Sequence, residues 1–240
     1  MKIDFGAVSA TTGPGEVYNN ISLSENVDEA AGTNVNVWTG GGGGTPNQVL
    51  LNDITGVASG WSLDATLTTA GSSPDFGVAG AGGNFTGTVA PLAASAFAST
   101  ATVDGLFIQD TAAITFFISG LNDGLTYNLL GFVGRDNNTG AQAPTSLTTG
   151  TGGSAFWQSQ DGTITAGELT TQDPNGTAGG IAFGWNGVSP TSGQIAFTMG
   201  SNADLLVDIK ALSITAVPEP SSLALLPIGV AGMLARRRRC

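Results

Sequence analysis

Apolar and polar residues alternate with a period of two along several stretches of this chain. Ile3, Phe5 and Ala7 alternate with Lys2 and Asp4. Trp61, Leu63, Ala65 and Leu67 alternate with Ser62, Asp64, Thr66 and Thr68. Ile114, Phe116 and Ile118 share one face, as do Ile181, Phe183 and Trp185, and Ile195, Phe197 and Met199. Val207 and Ile209 alternate with Asp208 and Lys210, and Leu212 and Ile214 with Ser213 and Thr215. Each stretch reads as a half-buried strand. The phase slips around Ala211, which predicts a β-bulge. Leu121-Asn122-Asp123-Gly124-Leu125 reads as a hairpin turn, because Asp-Gly favours positive φ. Arg135–Gly140 reads as a loop, and Asp173-Pro174-Asn175-Gly176 as a second turn. Asn26–Ala31 suits one short turn of helix, and nothing in the body sustains capped helical spacing over ten residues.

Many short strands with turns between them predict an all-β fold, an antiparallel β-sandwich over residues 1–216. A β-solenoid is the alternative, although no fixed internal period supports it. The five-Gly run Gly40–Gly44 lacks a following Gly-Lys-Ser/Thr, so it is a loop and not a phosphate cradle. Residues 70–100 are rich in Gly and Ala and poor in pattern. The segment Ile114–Arg135 and the closing Ala211-Leu212-Ser213-Ile214 resemble a galactose-binding-type jelly roll, which implies two facing sheets.

Composition narrows the chemistry. The chain has 240 residues and no His, and its single Cys is Cys240. A Ser-His-Asp triad, a His-bound metal and a disulfide framework are therefore excluded. Residues 1–216 hold 17 acidic and 3 basic groups, a net of −14, which disfavours nucleic acid as a partner. Carboxylates remain as catalytic candidates, but Glu16, Glu25, Glu29 and Glu168 lie in no catalytic pattern. No cofactor is implied beyond a structural calcium ion, for which Asp136 and Asn138 in one loop and Asp173 and Asn175 in another supply oxygens. Asx-rich turns form without metal, so the plain turn is the favoured reading of both. For a sugar, exposed aromatics would supply stacking faces. Trp61 and Trp185 are in phase with core positions. Trp38 is out of phase and abuts the Gly run, and Trp157 follows Phe156, so Trp38 and Trp157 are the stacking candidates. Arg135, the sole Arg of the body, is the candidate for a polar ligand contact.

The chain end is a separate unit, 217–240. Val217-Pro218-Glu219-Pro220 precedes an apolar run of 13 residues, Leu223–Ala235, and then Arg236, Arg237, Arg238 and Arg239. A full membrane span needs about 20 apolar residues, so the predicted hydrophobic helix is short. The Arg cluster would stay on the cytoplasmic side and hold the body outside. This order of features resembles the PEP-CTERM sorting signal of bacterial exported proteins. The resemblance implies an exosortase and the inner membrane as partners, cutting near Pro218-Glu219-Pro220, and release to the cell surface or matrix, where extracellular polysaccharide is the expected partner. The family also implies an N-terminal export signal. Met1–Gly6 reads instead as a strand, so that signal is expected upstream, the start having been set late or the gene truncated. Three functions compete: a non-catalytic adhesion or glycan-binding module, a secreted polysaccharide hydrolase using paired carboxylates, and a purely structural matrix filler. The lack of His and of any catalytic pattern favours the first.

Overall fold

The computed structural model of the chain describes residues 1–6, 17–23, 35, 38–40, 44–45, 48–69, 76–78, 89–102, 104–108, 112–134, 145–169, 180–200 and 207–218. Its strands are β1 (Lys2–Phe5), β2 (Asn19–Leu23), β3 (Trp38–Gly40), β4 (Gly44–Thr45), β5 (Gln48–Asn52), β6 (Ala58–Thr69), β7 (Phe76–Val78) and β8 (Leu106–Ile108). There follow β9 (Ala113–Ser119), β10 (Thr126–Val133), β11 (Thr145–Thr149), β12 (Thr151–Gln158), β13 (Ile164–Ala166), β14 (Ile181–Ser189), β15 (Gln194–Gly200) and β16 (Val207–Val217). A short helix, α1 (Pro91–Ala96), and a 3-10 turn, Ser99–Thr102, lie between β7 and β8.

The strands form two sheets. One has ten strands in the order β13-β12-β14-β10-β16-β1-β2-β3, with β8 continuing along β16 beyond β1, and β7 on β8. The other has six, β11-β15-β9-β6-β5-β4. Every ladder is antiparallel except β1–β2. Antiparallel pairing between distant strands excludes the solenoid. The predicted C-terminal helix lies outside the described residues.

The two sheets face each other across one apolar core. Ile3 and Phe5, Leu63, Ala65 and Leu67, Ile114, Phe116 and Ile118, Phe183 and Trp185, and Ile195, Phe197 and Met199 all enter it, as their alternation requires. Aromatic rings tie the sheets together. Phe197 of the six-stranded sheet meets Phe183 and Trp185 of the other at centroid distances of 6.0 and 5.7 Å, and Phe116 beside it at 5.3 Å. Trp61 meets Tyr127 edge-on at 5.6 Å. Asn19 links the sheets at one side, donating to the Asn52 carbonyl at 2.9 Å and accepting from the Asn52 N–H at 2.7 Å.

The Asn122–Leu125 turn corrects one expectation. Its hydrogen bonds form, from Leu125 N to the Asn122 carbonyl at 3.1 Å and from Gly124 N to Asn122 Oδ1 at 2.9 Å. Yet β9 and β10 belong to different sheets, and Asp123 and Gly124 do not adopt positive φ. The segment is an arch that carries the chain across the core and not a hairpin. Thr149-Gly150-Thr151 and Ser189–Gln194 make similar crossings.

The ten-stranded sheet is also covered outside. Phe132, Ala182 and Ala211 face outward and pack under Ala90, Ala93, Phe97 and Ala101, with Tyr18 beside them. Pro91 opens α1, where its missing N–H costs nothing. Gln158 Oε1 accepts from Leu92 N at 2.7 Å, and Tyr18 Oη accepts from Ala98 N at 2.7 Å. The bulge expected near Ala211 is present: the β10–β16 register steps from Phe132↔Ala211 to Val133↔Ile209 and skips Lys210. Lys210 and Asp208 are both fully buried, contrary to their reading as the solvent side of a strand, and pair at 3.0 Å. Asp4 and Asp104 are buried too. A Cβ on Gly105 would lie 3.0 Å from Lys210 Cδ, and one on Gly6 would collide with the Asp104 carboxyl, so this roof fits closely.

Candidate functional site on the six-stranded sheet

Strand β9 runs through the middle of the six-stranded sheet. Because Ile114, Phe116 and Ile118 enter the core, Thr115, Phe117 and Ser119 must face out. Register places Thr66, Asp64 and Ser62 of β6 beside them on one flank. On the other flank stand Thr198, Ala196 and Gln194 of β15. Three rows result: Thr66, Thr115, Thr198; then Asp64, Phe117, Ala196; then Ser62, Ser119, Gln194. Phe117 sits at the centre and is partly exposed.

Hydrogen bonds organise the polar rows. Thr115 Oγ1 bonds Thr68 Oγ1 at 2.6 Å and Thr198 Oγ1 at 2.7 Å. Gln194 Nε2 donates to Ser119 Oγ at 3.0 Å, and Gln48 Nε2 donates to Ser62 Oγ at 2.8 Å. Thr115 and Ser62 are buried, while Thr66, Thr198, Ser119 and Gln194 stay partly exposed around the partly exposed Phe117 ring. The Phe116-Phe117 pair carries a sequence signal for this site, since consecutive strand residues point to opposite faces.

Asp64 is the one formal charge among these nine. Burial pushes its carboxyl above the usual Asp value of 3.8, and the N–H of Ala65, donating at 2.7 Å, opposes part of that rise. A raised carboxyl holds its proton more tightly in the folded chain than in the unfolded one. Stability therefore falls as pH rises from about 3.8 through the folded value. Asp64→Asn keeps the amide contact and removes the buried charge. It should raise the melting temperature at pH 7 and lose that advantage below about pH 3.8, as thermal melts at the two pH values would show.

The residues proposed from sequence fall differently. Trp157 is only 8% exposed and lies in the core, so it offers no stacking face. Its register opposite Phe183 turns it inward, and Phe156, opposite Gly184, takes the outer face. Trp38 opens β3 opposite Leu23, and its side chain is outside the described residues. Arg135, Asp136, Asn138, Asp173 and Asn175 also lie outside them. Among the described residues no group of three or more acidic or Cys side chains is arranged to hold a metal ion. Glu168 Oε1 accepts from Leu147 N at 2.7 Å and from Trp185 Nε1 at 3.3 Å, bridging an edge of the sandwich.

The other functional segment begins where the body ends. β16 stays paired with β10 to its last residue: Asn128↔Thr215, Tyr127↔Ala216, Thr126↔Val217. Pro218 follows at once and is exposed, while Glu219, Pro220 and Arg236–Arg239 lie outside the described residues. The order of Pro-Glu-Pro, apolar run and Arg cluster is matched in known proteins.

Residues 216–239 carry the PEP-CTERM protein-sorting motif.

The PEP-CTERM motif marks an exported protein that is sorted by way of the membrane and processed by an exosortase. Its first two residues, Ala216 and Val217, belong to the last strand of the sandwich. Among the described residues no helix is long and apolar enough to cross a membrane. No curated protein matches the chain. Among solved structures, it is similar to TmCBM61 in complex with β-1,4-galactotriose, at 12% identity and a TM-score of 0.30, over 66% of this chain and 90% of that one. It is also similar to the arabinose-bound MgGH51 α-L-arabinofuranosidase, at 9% identity and a TM-score of 0.30, over 90% of this chain and 31% of that one.

Proposed function

We propose that this protein is a non-catalytic module of the cell surface or extracellular matrix that binds extracellular polysaccharide on the outer face of its six-stranded sheet. The observation that carries the reading is the central Phe117, flanked by Asp64 and ringed by fixed hydroxyl and amide groups. A pyranose has an apolar face and a rim of hydroxyls, and this surface offers the complement of both. A body with a net of −14 favours an uncharged glycan over an acidic one.

The hydrolase alternative needs a second carboxyl within reach of the first, roughly 5–10 Å away. Phe117, the cross-strand partner of Asp64 among the described residues, carries none. Glu168 already serves as acceptor for two protein donors. Both observations favour binding without turnover.

Affinity electrophoresis through gels loaded with polysaccharide from the host's own matrix tests the proposal. Phe117→Ala should lower retention about tenfold, the loss of one central aromatic contact. Ile164→Ala, an exposed change on the other sheet, should leave retention unaltered. Equal retention of wild type and Phe117→Ala would remove the sheet face from consideration.

A further inference from the structure

Among the described residues four large apolar side chains are exposed: Leu50 at 50%, Ile54 at 40%, Val57 at 61% and Ile164 at 59%. Three of them lie on one hairpin, β5–β6. Strand register fixes where that hairpin points. Ser62 pairs with Ser119, the last residue of β9, so Trp61 to Ala58 and the Asp53–Val57 turn extend beyond the end of β9. The β9–β10 arch starts at that same end and leads into Thr126, which pairs with Val217. Gly120 of the arch packs on the Gly60 carbonyl. The apolar turn and the exit of the sorting segment thus share one pole of the sandwich.

The chain leaves little room between that pole and a membrane. Four residues, spanned in five Cα-to-Cα steps, separate Pro218 from Leu223, where the apolar run begins. They reach at most about 17 Å at full stretch. The turn itself is firm. Asp53 Oδ1 accepts from Thr55 N at 2.8 Å, Thr55 Oγ1 at 2.7 Å and Val57 N at 3.1 Å.

From this we infer that, while anchored, the sandwich stands with the β5–β6 pole against the bilayer, Ile54 and Val57 touching the lipid surface. The inference rests on the sorting reading, since the tail supplies the tether. The turn carries the Asp53 carboxylate and no cation, so the contact is apolar and does not call for anionic lipid.

Full-length protein carrying Cys240→Ser and Val57→Cys, labelled with an environment-sensitive dye, tests it on phosphatidylcholine vesicles bearing a lipid-attached quencher. Ile164→Cys in the same background is the control. It is equally exposed and lies at the other pole, since Ile164 pairs with Gln158 at the far end of β12. The Val57 label should shift to the blue and lose most of its emission, while the Ile164 label keeps its own. Equal behaviour of the two labels on vesicles that carry the protein through flotation would overturn the pole contact and leave the sorting reading intact. Quenching of Val57 only when exosortase is reconstituted alongside would assign the contact to that enzyme instead, and overturn the lipid contact. A chain that fails to float with the vesicles would overturn the anchoring and the inference together.

Discussion

Phe197→Ala is expected to cost about 3–5 kcal/mol of folding stability, the range for emptying a buried aromatic site. Phe197 is fully buried and touches rings from both sheets: Phe116 at 5.3 Å, Trp185 at 5.7 Å and Phe183 at 6.0 Å. Removing it breaks three ring contacts, each worth about 0.5–1.5 kcal/mol beyond area burial. It also opens a void between ladders that hold their spacing by backbone hydrogen bonds, so the site collapses only in part. The measure is the urea midpoint, accompanied by a fall in melting temperature on the order of 10 °C. Phe117→Ala, one pairing step away and partly exposed, should change stability far less. A comparable loss at both positions would mean that Phe117 is a core residue and that the proposed binding face is misassigned.

Lys210→Met should be as costly, at about 3–5 kcal/mol, for an electrostatic reason. The Lys210 and Asp208 side chains are each 0% exposed and meet at 3.0 Å. Methionine fills similar space but leaves the Asp208 carboxylate without its cation. An ion stranded in a low-dielectric interior retains its desolvation cost and loses the compensating attraction. Asp4, paired opposite Ala211, and Asp104, next to the Gly105 that abuts Lys210, are also buried and add carboxyls to a region from which the mutation removes an ammonium. The double change Asp208→Leu with Lys210→Met removes both ions and should recover part of the loss. Chemical denaturation of the three chains decides the point: a double variant weaker than Lys210→Met alone would show that the pair is not what matters.

The core strands were legible because one face of each is apolar. Ile114, Phe116 and Ile118 needed only a period of two to be placed. The sorting tail was legible because its three features occur in a fixed order. What escaped was whatever depends on a third layer or on which sheet a strand joins. Asp208 and Lys210 look solvent-facing because the alternation is correct; the roof of α1 and the turn after it, built largely from Ala, then covers the outer face. Alanine buries well without a strong periodic pattern, so residues 89–102 left no mark on the hydrophobic profile. Asn122–Leu125 showed a turn but not its span, since an arch and a hairpin share turn chemistry. Phe156 and Trp157 are consecutive strand residues, so they must take opposite faces. Which of the two points inward follows from register against β14, and that register is a tertiary fact.

The reciprocal hydrogen bonds between Met1 and Ile214, from the Met1 amine to the Ile214 carbonyl at 2.8 Å and from Ile214 N back to Met1 at 3.0 Å, join residues 213 apart in sequence. They arise because β16, the final strand, is inserted in the interior of the ten-stranded sheet between β10 on one side and β1 and β8 on the other. Such a sheet cannot close until its last strand is present, and pairings this distant form slowly. A chain emerging from a membrane with its N-terminus leading would therefore stay unzipped until residues 207–217 had crossed. Completion of folding would then coincide with the arrival of the sorting segment at the membrane.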